Sequence, residues 1–284
     1  MTIREVLARS TDYLAAKGVD SPRLDAEHLL AHTLGISRLD LYLEHDRSLS
    51  EDELARARVL VDRRGRREPL AYVLGEWGFR RLTLKVDDRA LVPRPETEVV
   101  VERCLEHLRE IAEPTVLDVG TGTGAIALSI VDEHPGALVT ALEASPDALT
   151  LTRENIELTG LSGRLRLVEG DLRATLPPGP YDLVVSNPPY VTPVELSALQ
   201  PEVRDWEPRV AVVDEDGGAT GAVARGAAEV LKADGWLVLE VAEGSAARVA
   251  DLVAGIGFQA IACRADLAGR DRVVEGRWAS SRKR

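Results

Sequence analysis

The sequence predicts an α/β fold in which a mostly parallel sheet is covered by helices on both faces, preceded by a small all-α domain and a β-hairpin linker. Three observations carry this expectation. Strand and helix patterns alternate from Thr115 onward, a glycine loop joins the first of those strands to its helix, and residues 1–75 show helical periodicity alone. The domain boundaries follow from these changes of period: 1–75 helical, 76–95 hairpin linker, 96–284 α/β.

Residues 1–75 carry two capping boxes. Thr2-Ile-Arg-Glu5 opens a helix with Ile3, Val6, Leu7 and Leu14 at helical spacing and Gly18 as its stop, and Ser50-Glu-Asp-Glu53 opens another through Leu54 and Leu60. Between them Ser21-Pro22 starts a helix with Leu24, Leu30 and Leu34 before Gly35. Arg63, Arg64, Arg66 and Arg67 read as a solvated helix end whose cations complement the macrodipole. His28, His32 and His45 lack acidic or Cys partners at ligand spacing, so no metal is expected. A helical unit without chemistry is expected to recognise a substrate or shield a site.

From residue 76 the period becomes two. Phe79-Arg-Arg-Leu-Thr-Leu-Lys-Val86 alternates like a strand, Asp87-Asp88 suits a turn, and Ala90-Leu-Val92 reads as the returning strand. Pro93-Arg-Pro-Glu-Thr-Glu98 then enters a helix over Val99–Ile111. Strands are expected at Thr115–Val119, Ala137–Leu142, Leu165–Glu169, Tyr181–Ser186, Gly235–Val241, Gln259–Ala262 and Arg272–Arg277. Helices are expected at Ala125–Glu133, Pro146–Leu158 and Ala246–Ile256. Ser280-Ser-Arg-Lys-Arg284 reads as a frayed tail.

Composition narrows the function. A hydrophobic content of 45% and a mean hydropathy of −0.08 describe a soluble globular chain, no window approaches the ~18 apolar residues of a membrane span, and no signal pattern opens it. A cytoplasmic location is expected. Cys104 and Cys263 are too few and too isolated for a disulfide framework or zinc site, and both are expected to be buried. The net charge of −12 disfavours a duplex nucleic-acid partner, because phosphate binding draws its affinity from Lys and Arg. Residues 1–75 hold 12 basic and 13 acidic side chains, so nearly all of that charge lies on the rest of the chain.

Two motifs carry chemistry. In Val116-Leu-Asp118-Val-Gly120-Thr121-Gly122-Thr123-Gly124 the glycines let backbone N–H groups and a helix N-terminus approach a ligand. The spacing is G-x-G-x-G, unlike the G-x-G-x-x-G of dinucleotide sites, and Asp118 would repel a pyrophosphate but pair with an ammonium. Glu143 ends the next strand, where a carboxylate can accept from both hydroxyls of a ribose, and Asp171-Leu172 follows the third, offering an acceptor and an apolar side chain to a purine. A ribose, a purine and a zwitterionic tail describe S-adenosylmethionine.

The second motif is Asn187-Pro188-Pro189-Tyr190, at the end of the Val-rich strand Tyr181–Ser186. Two prolines stop the strand and hold Asn187 extended, at the carboxyl end where α/β sheets bind ligands. The Asn187 side-chain carbonyl, the Pro188 backbone carbonyl and the face of Tyr190 suit a planar –NH2 conjugated to a π system. Holding both hydrogens of such a nitrogen aims its lone pair at an electrophile without a strong base.

With these motifs the chain resembles the class I (Rossmann-like) methyltransferases that modify amide or adenine nitrogens, and most closely the HemK/PrmC family of protein-(glutamine-N5) methyltransferases. The resemblance extends to Arg67-Glu-Pro-Leu-Ala-Tyr-Val-Leu-Gly75, Leu91-Val-Pro-Arg-Pro-Glu-Thr-Glu98, Leu199-Gln-Pro-Glu-Val-Arg-Asp205 and Asp266-Leu-Ala-Gly-Arg-Asp-Arg-Val-Val274. It implies S-adenosylmethionine bound at Gly120–Gly124, Glu143, Leu172 and Asn187 with Asp171 near the adenine, and S-adenosylhomocysteine as product. It implies as substrate the glutamine of the Gly-Gly-Gln motif of a peptide-chain release factor, its amide held by Asn187, Pro188, Pro189 and Tyr190. Two positions depart from the family pattern: Leu172, where an aromatic residue is frequent, and Ala242-Glu-Gly-Ser245, where a Gly and a Gln are usual. Methylation of a ribosomal-protein glutamine is the nearest alternative, but that sister group carries Arg-Ser-Pro in place of Arg94-Pro95-Glu96. Adenine-N6 methylation fits poorly with the acidic charge, and a nucleoside-sensing protein without catalysis would not need the hook.

Overall fold

In the computed structural model, which describes residues 1–279, the chain forms two units: Met1–Glu76 with Gln200–Trp206, and Trp77–Leu199 with the chain from Glu207 onward. The predicted tail at Ser280–Arg284 lies outside the described residues.

Caps set the helices of the first unit. These are α1 (Ile3–Ala16), α2 (Pro22–Leu34), α3 (Arg38–Leu43), α4 (Glu51–Gly65) and α5 (Leu70–Leu74). Thr2, Ser37 and Ser50 each accept from the backbone N–H three residues on, and Glu5, Asp40 and Glu53 reach back to complete the boxes. Gly35 and Gly75 end α2 and α5 with φ of +66° and +78°, a region glycine enters without strain. The short α3 and α5 were not expected from periodicity. Ile3, Leu14, Leu29 and Leu41 bury their side chains completely between these helices.

The chain continues with the hairpin β1 (Glu76–Phe79) and β2 (Leu82–Lys85), which from Trp77 onward belongs to the second unit, followed by α6 (Thr97–Leu108). The hairpin turns earlier than expected, at Arg80-Arg81 and not at Asp87-Asp88, and Ala90–Val92 is not a strand. Tertiary contacts decide this. Arg80, at φ +50°, binds Glu133 through its guanidinium and donates its backbone N–H to Glu98 (3.0 Å).

There follow β3 (Thr115–Val119), α7 (Ala125–Glu133), β4 (Leu138–Glu143), α8 (Pro146–Thr159), β5 (Leu165–Glu169) and β6 (Tyr181–Ser186). The stretch from Pro193 to Val230, for which periodicity gave no assignment, holds α9 (Pro193–Leu196), α10 (Pro201–Trp206), α11 (Arg209–Val212) and α12 (Ala219–Val230). The chain ends with β7 (Leu231–Glu240), α13 (Ala246–Ile256), β8 (Phe258–Ala265) and β9 (Asp271–Trp278). The sheet order is β5-β4-β3-β6-β7-β9-β8, parallel from β5 to β7, with β9 antiparallel to both of its neighbours.

Strand residues bury alternately on two faces, which is why these strands read as continuous apolar runs. Leu183, Val185 and Val238 pack with Val100, Cys104 and Ile130 on one face, and Val184, Leu237 and Leu239 with Val223 and Val253 on the other. The neighbours of β3 are reached by crossovers in opposite directions, so a crevice opens at the carboxyl ends of β3, β4 and β6. Cys104 is buried as expected, whereas Cys263 is exposed on β8, a strand that follows no burial alternation.

Within the helical unit the arginine cluster is not a solvated helix end. Arg64 is buried and reaches Asp25 (2.7 Å) and Glu202 (2.8 Å), while Arg67 grips Glu202 through two bonds of 2.7 Å. Arg63 pairs with Glu68, and only Arg66, bound to Asp62, stays largely exposed. Glu202 lies on α10, so these arginines hold that segment in the helical unit. The sequence had assigned it to the α/β domain. Truncating Arg64 to Ala leaves Asp25 buried without its partner and is expected to lower stability by about 3 kcal/mol in urea denaturation. Arg66→Ala, at an exposed pair, is expected to shift it by less than about 1 kcal/mol. Equal shifts for the two variants would contradict the assignment of Arg64 as the buried centre of the network.

Candidate active site

The loop after β3 is shaped by its glycines. Gly120, Gly122 and Gly124 have φ of +77°, +57° and +84°, values that disfavour any side chain. Glu143, at the end of β4, holds this loop from the side: its Oε2 accepts from the Gly122 N–H (2.9 Å), and its Oε1 from the N–H groups of Ala144 (2.9 Å) and Ser145 (3.0 Å). Three donors leave the carboxylate at least one open lone-pair direction.

The crevice above these strand ends is a cavity of about 620 Å³. The structure brings Gly120, Thr121, Gly122, Thr123, Glu143, Asp171, Leu172, Asn187 and Pro189 to its wall. Gly124 is not on the wall; a Cβ there would meet Thr152 Cγ2 at 2.8 Å, so this glycine serves close packing. Asp171 accepts from the Arg173 N–H (2.8 Å), which folds the turn after β5 back on itself.

Asp118 does not line the cavity either. It is fully buried under the loop, where its Oδ2 accepts from the Thr121 hydroxyl (2.6 Å) and its Oδ1 has no hydrogen-bond partner among the described residues. Burial pushes its pKa up from 3.8 to about 7. The ammonium pairing expected of this carboxylate is therefore not offered directly, and Thr121 stands between it and the cavity.

The hook is fixed at both ends. Ser186 donates its hydroxyl to the Val119 carbonyl (2.7 Å), tying the end of β6 to the end of β3. Beyond the prolines, Val191 donates its N–H to the Val212 carbonyl (3.2 Å) and accepts from the Asp214 N–H (2.9 Å), so the hook continues into the wall around α11. Asn187 and Tyr190 are half-buried and Pro188 is buried; neither Pro188 nor Tyr190 is on the cavity wall. Burial, with Glu240 nearby, pushes the Tyr190 phenol up to about 12, so it stays protonated at neutral pH and cannot act as a base.

Several wall residues were not anticipated: Ala90, Val92, Arg94 and Thr97 before or at the start of α6, and Pro208 to Ala211 with Val213 around α11. Buried Glu207 joins these stretches by accepting from the Val92 N–H (3.2 Å) and the Arg94 guanidinium (2.7 Å). Among the described residues, no group of three His, Cys, Asp or Glu side chains could hold a metal ion, and no helix is long and apolar enough to cross a membrane.

Known proteins are similar to this chain in sequence. Residues 5–75 match the PrmC N-terminal domain and residues 99–200 the methyltransferase small domain. The chain is 43% identical over 281 residues to the release factor glutamine methyltransferase of Geobacter sulfurreducens, covering 97% of this chain and 96% of that protein. It belongs to the release factor glutamine methyltransferase family. The enzyme of the same name from Deinococcus radiodurans is 43% identical over 280 residues, covering 98% of this chain and 99% of that protein. Among solved structures, a methyltransferase from Pyrococcus furiosus is similar over 69% of this chain and 88% of its own, at 16% identity and a TM-score of 0.48.

As a member of that family the chain is a methyltransferase that uses S-adenosylmethionine. The residues present fit this cofactor on two structural grounds. A Cβ built on Gly120 meets no atom within 4 Å, so the glycine keeps open a space at the cavity wall that a side chain would fill. Glu143 offers a rigid, ionisable acceptor at the same wall, suited to a diol.

Replacing Glu143 by Ala removes that acceptor and releases three backbone N–H groups. The affinity for S-adenosylhomocysteine measured by calorimetry is expected to fall at least about tenfold, as the loss of one charged hydrogen bond implies. An unchanged affinity would exclude Glu143 from the site. Asp118 makes a second prediction through its raised pKa. The unfolded chain ionises near pH 4 while the folded chain keeps its proton, so the stability this residue contributes is present below pH 4 and lost as pH rises through about 7. Asp118→Asn is expected to remove a decline of up to about 1.4 kcal/mol per pH unit over that window in urea melts. An unchanged profile would place the Asp118 pKa elsewhere.

Proposed function

We propose that the methyl acceptor is the side-chain amide nitrogen, N5, of the glutamine in the Gly-Gly-Gln motif of a peptide-chain release factor. The single observation that carries this reading is the hook itself, a half-buried Asn187 at the cavity wall, pinned to β3 through Ser186 and stiffened by two prolines. S-adenosylmethionine supplies the electrophilic methyl group.

The chain's own residues do the rest by position. The Asn187 Oδ1 and the Pro188 carbonyl accept the two amide hydrogens, which lines up the nitrogen lone pair and stabilises the positive charge that grows on nitrogen during transfer. The thioether product would leave with the electron pair of the broken S–CH3 bond, and one of the two held amide protons would pass to water to leave a neutral N-methyl amide. Tyr190, a phenol at neutral pH, packs against the amide plane and takes no proton. Glu143 would hold the ribose hydroxyls, the backbone of Gly120 to Thr123 the amino-acid end, and Asp171 and Leu172 the purine. Thr121, whose hydroxyl is donated to Asp118, would offer its oxygen to the ammonium in the place expected of Asp118. The acidic net charge supports a protein acceptor over a duplex nucleic acid. The helical unit, which has no chemistry of its own, supplies the selectivity that an amide-reading hook cannot. A substrate of translation termination places the enzyme in the cytoplasm.

Incubation with labelled S-adenosylmethionine and separate samples of release factor, ribosomal proteins and DNA tests the reading. Label is expected on the Gly-Gly-Gln glutamine nitrogen alone; label confined to a ribosomal protein or to adenine would overturn it. Asn187→Ala is expected to reduce single-turnover methylation by ~10²–10³, the usual cost of one group aimed at the reacting atoms. Affinity for S-adenosylhomocysteine is expected to stay within about tenfold, since Asn187 makes only part of that contact.

A further inference from the structure

Asn187 can serve the amide of a glutamine only if its own amide faces the right way. Oδ1 accepts from an –NH2, whereas Nδ2 would meet it donor to donor, and the two ends have almost the same shape. Something must therefore set the orientation.

The register of the sheet supplies it. Ser186 pairs with Leu239 across β6 and β7, so the next residues, Asn187 and Glu240, stand side by side on one face. That face is the one covered by α6, whose first residue is Thr97. The Thr97 hydroxyl lies between them, donating to Glu240 Oε2 at 2.6 Å while its oxygen receives Asn187 Nδ2 at 3.5 Å. Both Thr97 and Glu240 are buried. A hydroxyl has one proton. Once it is committed to a carboxylate, which can only accept, the Thr97 oxygen is an acceptor toward Asn187, and only Nδ2 can answer it. Oδ1 is then the end left for a substrate.

We infer that Thr97 and Glu240 are positioning residues for methyl transfer, fixing the Asn187 amide with its nitrogen toward Thr97 and its oxygen toward the acceptor glutamine. This rests on the function proposed above. Glu240 does its part as an anion. Protonated, it can donate to Thr97, which then turns its own proton toward Asn187 and favours the reversed amide.

The groups facing Glu240 come from four sides: Thr97 and Glu96 at the start of α6, Arg94 just before it, Arg272 on β9 and Tyr190 on the hook. Burial outweighs the two arginines and, with Glu96 adding to it, holds the Glu240 carboxyl up to about 7. Deprotonation of Glu240 should thus appear as an ascending limb in the rate of methyl transfer between pH 6 and 8.

The test uses the full chain and an intact release factor under single-turnover conditions. Thr97→Val keeps the shape and removes the hydroxyl; its kcat is expected to fall ~10²-fold, the scale of a misplaced reacting group. Its KM for the factor and its affinity for S-adenosylhomocysteine should move less than about threefold, because one hydrogen bond to the amide is a small part of the contacts that bind a whole factor or the cofactor. Thr97→Ser should restore most of the rate. Glu240→Gln should lower kcat and abolish the ascending limb. Cooperative melting and cofactor binding report whether each variant is folded. A folded Thr97→Val with near wild-type kcat, a Thr97→Ser as slow as Thr97→Val, or a limb that survives in Glu240→Gln would each overturn the inference. Absence of methylation of the factor by the wild-type enzyme would instead refute the function on which it rests.

Discussion

The site depends on one carboxylate that receives three backbone N–H groups. Glu143 binds Gly122 of the loop after β3 and also the first two residues after its own strand. Neither segment could hold this shape alone, since a run of glycines loses much backbone entropy on ordering. The parallel register makes the bond possible, because β3 and β4 run together from Thr115 beside Leu138 to Val119 beside Leu142 and so end at one level. A ligand that uses Glu143 thus meets a loop already in place, with less ordering left to accomplish on binding.

The hook obeys the same constraint from the other side of β3. Ser186 to Val119 fixes its start and Val191 to Val212 its exit, so the four residues between them span a set gap. Two of those four are prolines, which restrict the backbone in the unfolded chain as well as the folded one. The chemistry asked of the hook needs this stiffness. An amide nitrogen is too weak a nucleophile to tolerate misalignment, and the Tyr190 phenol, pushed up to about 12, is not a base at neutral pH that could make it stronger.

Much of this was legible in the sequence because the local signals agree with the fold. The Val-rich strands, the glycine loop and the capping boxes each specify their element through residues only a few positions apart. What was not legible depends on partners far along the chain. Arg64 meets Asp25 39 residues away, and Arg67 meets Glu202 135 residues away, so the arginine run looked like a solvated helix end. The wall around α11 is held by Glu207 with Arg94 and by Val191 with Val212, and its helix, of four residues, is too short for periodicity to register. Asp118 is different, since its strand did contain the signal: it lies between apolar neighbours on a central strand buried on both faces, where a side chain points into a core and not out of the strand end.

Two buried acids in the catalytic unit use one device. Asp118 accepts from Thr121 and Glu240 from Thr97, both at 2.6 Å, and both threonines line the cavity while neither acid does. Burying a carboxylate is unfavourable by several kcal/mol, and here it raises both groups toward neutral pH. A bare threonine at the wall could donate or accept by rotating its hydroxyl, and would serve a misplaced donor as readily as a correct one. With its proton held by an ionised acid behind it, the hydroxyl becomes an acceptor of fixed direction. The same result from a carboxylate at the wall would put a full negative charge beside the reacting centre. The threonine transmits direction while the charge stays one bond further back, so stability given up in the core is converted into orientation at the site.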